Sequence, residues 1–426
     1  GDVSLPHEHE KEITEPKKKN DRDFITFKQY ILRKMESLLE DNEQKQPQTV
    51  DEEYALWKKN SESMYDYVSE TKLGWPSMVV EWLPTPDPSL ERQELLVGTL
   101  TDLDGKESNV DNKNYLKFCK IDYPSGEKQA LKVFKKIEHD GEINKLKINP
   151  FDSKIVSTIN EKSEINVFDR KRGFLGKLKG VHYENDGFGL SFSKLDSSLL
   201  ISAASDGKRV LWDITKMNKV AEDSTHTAGV NCIEFSSLKK SLFASVSDDS
   251  TLLLSDTRTT GGSFETVHSL KHTSVLNAVS FSPFSENLLA CGGEDSLIAL
   301  YDLRYFKQSN PLHVMAGHED NITNLQWADY QDGILVSSGE DRKLIYWDIN
   351  KIGNEQTPDD AEDGVPEKLF VHGGHRSIIN DFSLHPSIPW LTVSTEEENY
   401  TQIYKPTDKI TNPEWMEDIS LDDLEN

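Results

Sequence analysis

Residues 317 to 348 read GHEDNITNLQWADYQDGILVSSGEDRKLIYWD, and the landmarks in this stretch decide the fold. His318 opens it, Trp327 follows nine residues later, the turn pair Glu340-Asp341 comes next, and Leu344 to Asp348 (LIYWD) closes it. Between the landmarks, apolar and polar side chains alternate as they do in short half-buried strands.

The pattern repeats outward from there. Runs ending in an aromatic or apolar residue and aspartate recur as Leu116 to Asp122, Ile165 to Asp169, Val210 to Asp213, Leu252 to Asp256 and Ile298 to Asp302; with Asp348 the closing aspartates step by 47, 44, 43, 46 and 46 residues. A four-stranded blade takes roughly 40 to 45 residues. His139, His182, His226, His272, His318 and His375 keep the same phase, at 43, 44, 46, 46 and 57. Phe235, Phe281, Trp327 and Phe382 follow their histidines by nine, nine, nine and seven residues. Turn pairs recur at Ser205-Asp206, Asp248-Asp249, Glu294-Asp295 and Glu340-Asp341. The last repeat has Glu397-Glu398 at its turn and Lys405 in place of the closing aspartate. Counting closures gives an all-β, seven-bladed WD-repeat propeller whose first blade ends at Asp122, and radial closure protects its many short strands.

The histidines and turn acids read as scaffold, because a loop His, a strand Ser/Thr, a turn Asp and a strand Trp form a satisfied buried hydrogen-bond chain. The same reading takes His372-Gly-Gly-His375 out of contention as a zinc motif, since His375 is already the loop histidine.

The 426 residues carry 48 Lys+Arg against 74 Asp+Glu, a net charge of −26. That balance disfavours direct nucleic-acid binding, which needs clustered cations, and favours a basic macromolecular partner. Apolar runs are too short for a membrane span, and no basic-then-apolar leader opens the chain. Cys119, Cys232 and Cys291 are odd in number and widely spaced, pointing to a reducing compartment. The sequence holds no GxxxxGK[ST], strand-linked GxGxxG, HExxH or GxSxG. The expectation is a binding scaffold without catalytic residues, cofactor or metal.

The flanks divide as follows. Residues 1–48 form an extension with a candidate amphipathic helix over 20–41, where Phe24, Phe27, Ile31, Met35, Leu38 and Leu39 fall at helical spacing. Residues 49–75 are expected to form the propeller's N-terminal helix, because Thr49-Val-Asp-Glu52 fits a capping box and Tyr54, Trp57, Met64, Tyr65 and Val68 form a stripe. The propeller then spans 76–406, with an acidic tail over 407–426.

Two places concentrate the charge. The residues just before the turn acids, Ser205, Asp248, Glu294, Glu340 and Glu397, belong at the rim of the loop face, and four of the five are acidic. Glu142 and Asn144, three and five residues after His139, belong there too, with Asp186 and Phe188 nearby. This face suits a basic peptide. The second place is the 57-residue step, whose excess forms a loop over 351–367 with six carboxylates between Glu355 and Glu367, followed by Leu369-Phe370-Val371. An acidic lip beside an apolar strip suits an amphipathic basic helix.

Tyr54-Ala-Leu-Trp-Lys-Lys-Asn60, Met64-Tyr-Asp66, Trp75-Pro-Ser77, Trp82-Leu-Pro84, Gly317-His-Glu-Asp320 and the acidic loop with Val371-His-Gly-Gly-His375 carry a further signal. Over about residues 50 to 405 the chain resembles the histone-binding WD-repeat family of retinoblastoma-associated chaperones. Val68-Ser-Glu-Thr71, Leu83-Pro-Thr-Pro86 and Gln356-Thr-Pro-Asp-Asp360 are most similar to its branch in fungal type B histone acetyltransferase complexes. The resemblance implies a non-catalytic subunit, found in cytoplasm and nucleus, that presents core histones of the central nucleosomal tetramer to a separate catalytic acetyltransferase subunit. The same family also implies an alternative, the histone-binding subunit of a chromatin assembly factor or of a deacetylase or methyltransferase complex. It places Asp360, Glu362 and Asp363 opposite the basic residues of the first helix of the smaller, arginine-rich histone, with Met64, Tyr67, Phe370 and Val371 as the apolar wall. It places Glu142, Asn144, Asp186, Phe188, Asp248 and Glu397 around the tail of the partner histone. Asn231, Asn321 and Thr323 depart from the animal pattern at that face.

Overall fold

A computed structural model describes Phe24–Ile25, residues 48–412 except 86, 88, 90, 102–112, 179, 183–185, 259–261 and 309, and Ile419–Ser420. Blade 1 consists of strands Val79–Trp82, Arg92–Gly98, Asn114–Asp122 and Lys132–His139. Blades 2 to 6 follow over residues 145–178, 187–223, 230–271, 276–316 and 322–372, each an antiparallel four-stranded sheet in sequence order. The first strands of neighbouring blades contact one another around a closed ring of seven. Apolar side chains fill the space between successive blades: Leu276, Val279 and Phe281 of blade 5, for example, pack with Val246, Leu252 and Leu254 of blade 4.

Blade 7 joins the two ends of this unit. Ile379–Leu384, Thr392–Glu396 and Tyr400–Pro406 supply three strands, and β1, Tyr65–Lys72, adds the fourth with Tyr65 opposite Pro406 and Lys72 opposite Tyr400. The helix expected over 49–75 is therefore shorter. α1 runs Val50–Met64, with Thr49 accepting from the Glu52 amide at 3.3 Å and Glu52 accepting from the Thr49 amide at 3.3 Å. Beyond Met64 the backbone is extended and pairs residue by residue with Tyr400–Pro406, with Tyr65, Tyr67 and Ser69 buried and Asp66 exposed. The propeller thus begins at Tyr65 rather than at residue 76. At its other end Asp408–Thr411 forms a helical turn whose start is fixed by the Thr407 amide donating to Met64 O at 2.9 Å, so the expected tail boundary also moves.

A separate unit holds residues 1–44 and 412–426. In it Phe24–Ile25 pairs antiparallel with Ile419–Ser420, an extended pairing that suits an aromatic and a β-branched residue. The rest of the helix expected over 20–41 lies outside the described residues.

The repeated histidines are scaffold. In blade 3, Trp212 Nε1 donates to Ser202 Oγ at 2.9 Å, Ser202 Oγ lies 2.9 Å from His182 Nε2, and His182 Nδ1 meets Asp206 at 3.1 Å. Blade 6 repeats the chain through Trp347, Ser337, His318 and Asp341. An indole N–H only donates, so the proton order runs from Trp to Ser to His to Asp. Other blades vary the parts. His272 of blade 5 meets Tyr301 Oη at 2.9 Å. In blade 7 the acid bonded to His375 is Glu396, at 2.7 Å, and not the turn residue Glu398. Glu396 reaches inward from the end of its strand, one residue before the rim position.

Candidate functional site

Both sequence-derived sites are built on the rigid ring. At the loop face, five turns are tied in the same way. The amides of Ser205, Asp248, Glu294, Glu340 and Glu397 donate to the carbonyls of Asp186, Gly229, Val275, Asn321 and Ile378, each in the loop entering the same blade, at 2.8–3.2 Å. This uniform bond sets the rim residues on one face in register. Asp248, Glu294 and Glu397 are exposed and Glu340 is half-buried. Two of these carboxylates are already in use: Asn231 Nδ2 donates to Asp248 at 2.8 Å and Asn321 Nδ2 to Glu340 at 3.3 Å. Glu294 and Glu397 have no such side-chain partner among the described residues.

Glu142 lies on the same face, its carboxylate accepting from the Thr101 amide at 3.0 Å and its own amide donating to Glu161 at 2.6 Å. Glu161 stands eight residues before Asp169, the spacing that Ser205, Asp248, Glu294 and Glu340 keep from their closing aspartates, but Lys162 follows it where the other blades have the turn acid. Asn144 is buried, its Nδ2 without a hydrogen-bond partner among the described residues. Asp186 is exposed at a positive φ of 68°, and half-buried Phe188 lines the cavity inside the ring. That cavity is polar: Glu81, Lys145, Lys147, Glu234 and Asp381 all line it. Burial pushes the Glu81 carboxyl up to about 7 against the pull of Lys147.

The acidic loop leaves blade 6 after Asp348. Its base is closed by the Asp348 amide donating to Glu367 O at 2.7 Å, and its middle by Gln356 Nε2 donating to Gly364 O at 3.0 Å. Between them Thr357 caps α2, Pro358–Glu362, accepting from the Asp360 amide at 3.2 Å, with Pro358 in the first turn where its missing N–H costs nothing. Asp360 and Glu362 sit on α2 and Asp363 caps its end. Glu367 is the exception among the six carboxylates: it is 1% exposed and bonded to His313 Nε2 at 2.8 Å, so five remain for the surface. Lys368 lies beneath the loop, its pKa lowered by burial and by Lys343 against Glu319 and Asp363.

The apolar wall differs from the one expected. Met64 is 6% exposed and Phe370 8%; Phe370 stands edge-on to Tyr65 at 5.4 Å and tilted against Tyr346 at 5.9 Å, so both are floor rather than open surface. Tyr67 is not on this wall at all. It lies 1% exposed on the opposite face of β1, against Tyr123 at 5.1 Å, because side chains two apart share a face only while the strand stays regular, and the β1 register shifts between Tyr65 and Tyr67. Val371 is half-buried and packs on the blade 6 core beside Ile352 and Val365. These last two carry a signal that repeat spacing does not reach: they are aliphatic residues inside an otherwise acidic loop.

α1 stands beside blades 6 and 7. Glu53 pairs with Arg342 at 3.0 Å, the Tyr54 ring lies 3.9 Å from the Arg376 guanidinium, and Trp57 meets the His372 ring edge-on at 5.4 Å. A Cβ on Gly374 would come within 2.5 Å of the Trp57 indole, so glycine is needed there for close approach.

The ring of seven blades with its His-Ser-Trp-Asp chains is that of a WD-repeat protein, and residues 217–256, 264–302 and 309–348 match the family model described as WD domain, G-beta repeat. Residues 52–125, covering α1, β1 and most of blade 1, match a second family model, whose description names the histone-binding protein RBBP4 and a component of the CAF1 complex. The histone acetyltransferase type B subunit 2 of Kluyveromyces lactis is 42% identical over 417 residues, spanning 88% of this chain and 97% of that protein. Those of Candida glabrata and Eremothecium gossypii are 39% and 40% identical, spanning 86% and 93% of this chain and 90% and 95% of those proteins. The chain belongs to the histone acetyltransferase type B subunit 2 family.

Proposed function

We propose that the chain is the non-catalytic, histone-binding subunit of a type B histone acetyltransferase complex. It holds core histones of the central nucleosomal tetramer, in cytoplasm and nucleus, for a separate catalytic chain. The observation that carries this reading is the pairing of exposed acidic α2 with the half-buried Ile352, Val365 and Val371, a surface complementary to an amphipathic basic helix. Asp360, Glu362 and Asp363 would orient that helix, and the acidic rim at Glu142, Asp186, Asp248, Glu294, Glu340 and Glu397, with Asn144 and Phe188 inside it, would hold a basic tail. Exposed ion pairs contribute about 0 to 1 kcal/mol each, while each large apolar side chain buried adds about 1.5 to 3 kcal/mol. Affinity therefore comes mainly from the apolar strip and orientation from the carboxylates.

Titration with a labelled peptide of the first helix of the smaller, arginine-rich histone tests this. Saturable binding that Val365→Ser weakens is expected; binding no tighter than to a scrambled peptide of equal charge would remove the reading. The match to a model that also describes a CAF1 component supports a second assembly, a chromatin assembly factor. Stoichiometric co-purification of an acetyltransferase chain or of assembly-factor subunits separates the two.

A further inference from the structure

Residues 113–179 hold 16 Lys/Arg and nine Asp/Glu, a net charge of +7 inside a chain of net −26. The fold gathers much of this onto the outer edge of blades 1 and 2. The outermost strand of blade 1, Lys132–His139, bonds to Asn114–Asp122 on one side, and no strand pairs with its other edge among the described residues. Lys132, Val133, Phe134 and Lys136 are exposed along it. On blade 2, Lys171 and Arg172 sit exposed at the turn leading into Gly173–Leu178, followed by exposed Phe174 and Leu175.

The two halves are continuous. Lys135 Nζ bonds the carbonyl of Arg170 across the blade boundary, and Lys177 bonds Asp140. The Arg92 guanidinium stacks 4.6 Å over Phe134, presenting cation and ring together. Phe174 stands 54% exposed, its ring 5.6 Å from that of buried Phe168. Lysine on an edge strand also discourages edge-to-edge association. That purpose does not explain four exposed large apolar side chains beside the charges, nor why the outer strand of blade 3, Asn218–Asp223, ends on Glu222 and Asp223 instead.

We infer that this edge is a docking surface for an acidic, extended segment of a partner protein, one that alternates carboxylates with apolar side chains and pairs with the free edge of Lys132–His139. The strand edge offers backbone amides and carbonyls. The lysines and arginines match carboxylates, and Val133, Phe134, Phe174 and Leu175 receive the apolar side chains. A protein is favoured over a nucleic acid because an unpaired strand edge and the exposed Val133, Phe134, Phe174 and Leu175 suit an extended chain with apolar side chains and would gain nothing from a sugar-phosphate backbone. Basic cargo is repelled here, so the surface stays open when the acidic sites are filled.

The test uses the full chain and a fluorescein-labelled peptide of alternating Glu and Val. Binding should be saturable and weaken with salt. Lys132→Glu with Lys171→Glu, both at exposed positions, should raise Kd about tenfold, as should Phe174→Ser, with the denaturation midpoint and binding of the arginine-rich histone's helix peptide unchanged. Methylating alternate amides of the peptide should weaken it comparably, because strand pairing needs those donors. Three results overturn the inference: peptide affinity unaffected by the charge reversal, a single-stranded oligonucleotide binding this edge more tightly than the peptide, or self-association of the chain that the same reversal abolishes.

Discussion

Tyr65 Oη lies 2.6 Å from His372 Nδ1, and this contact fixes a one-way chain of hydrogen bonds at the seam between α1 and the propeller. Trp57 Nε1 donates to Tyr65 Oη at 3.1 Å, which obliges the Tyr65 hydroxyl to give its own proton to His372. His372 Nε2 then donates to Gln402 Oε1 at 2.7 Å, and Gln402 Nε2 to Glu70 at 2.7 Å and Gly374 O at 2.9 Å. Burial, with His375 beside it, holds the His372 pKa well below its ordinary value, so the ring stays neutral. One relay therefore ties helix, closing strand, blade 6 and blade 7.

Tyr65→Phe keeps the ring packing but leaves Trp57 Nε1 and His372 Nδ1 buried without partners, at about 1 to 3 kcal/mol per group. Urea denaturation should show a loss of about 2 to 6 kcal/mol for the two groups together. Amide exchange should rise in Val50–Met64 more than in blade 3. Unchanged protection of the helix would show that the relay does not hold it.

Histidine burial sets an acid limit on stability. His385 Nδ1 accepts from the amides of Ser387 at 3.0 Å and Ile388 at 2.9 Å, so protonation there breaks two bonds. Burial lowers the pKa of His385 to about 4 and of His139 to about 4. An unfolded histidine titrates near 6.5, so between about pH 6.5 and 4 the unfolded chain binds more protons and stability falls as pH falls, by up to about 3 kcal/mol per group. Glu81, raised to about 7 by burial, has the opposite sign: its contribution is full below about pH 4.5 and is lost as pH rises through 7. Two such histidines outweigh it. Denaturation midpoints should drop from pH 7 to 5, and less steeply in His385→Asn; a flat profile in the parent chain would contradict this account.

The acidic loop makes a kinetic prediction. Asp360→Asn with Asp363→Asn, both half-buried at the loop surface, should slow association of the basic helix peptide several-fold at low salt and little at high salt, with the off-rate nearly unchanged, because charges open to solvent act at a distance and are screened. Phe370→Ala behaves differently from a surface truncation. Its ring packs against Tyr65 and Tyr346, so the variant should lose about 3 to 5 kcal/mol of stability before any binding effect can be separated. Stopped-flow traces in which Asp360→Asn with Asp363→Asn raises the off-rate as much as Val365→Ser does would refute the division.

How much the sequence shows depends on what each residue answers to. His182, Ser202, Asp206 and Trp212 satisfy one another, so their spacing is rigid and legible in one dimension. The closing strand is hidden because Met64, Tyr65 and Val68 fit a helical stripe as well as a strand, and only the partner strand Tyr400–Pro406, more than 300 residues away, decides between them. Glu396 escapes the pattern because a glutamate one carbon longer can reach His375 from a strand position where other blades place Ala204, Ser247 or Gly339. Tyr67 and Phe370 carry the right chemistry for a wall, but burial is a property of neighbours and not of the residue. Glu367 looks like one more loop acid until His313, from another blade, claims it.

The rim carboxylates should differ in strength although they occupy equivalent turns. Asp248 and Glu340 already accept from Asn231 and Asn321, so a cationic tail must displace or share those amides, whereas Glu294 and Glu397 have no side-chain donor to give up among the described residues. Glu294→Gln with Glu397→Gln should therefore weaken a Lys/Arg-rich tail peptide about three- to tenfold at low salt, at about 0 to 1 kcal/mol per exposed pair, and Asp248→Asn with Glu340→Gln by less. Asn231→Ala should move Asp248 toward the stronger class and tighten binding slightly, since it removes a competing donor without changing charge. Calorimetric titration at two ionic strengths distinguishes these outcomes. Equal losses from the two carboxylate pairs, with no gain in Asn231→Ala, would mean that local amides do not tune the rim and that its charge acts only in sum.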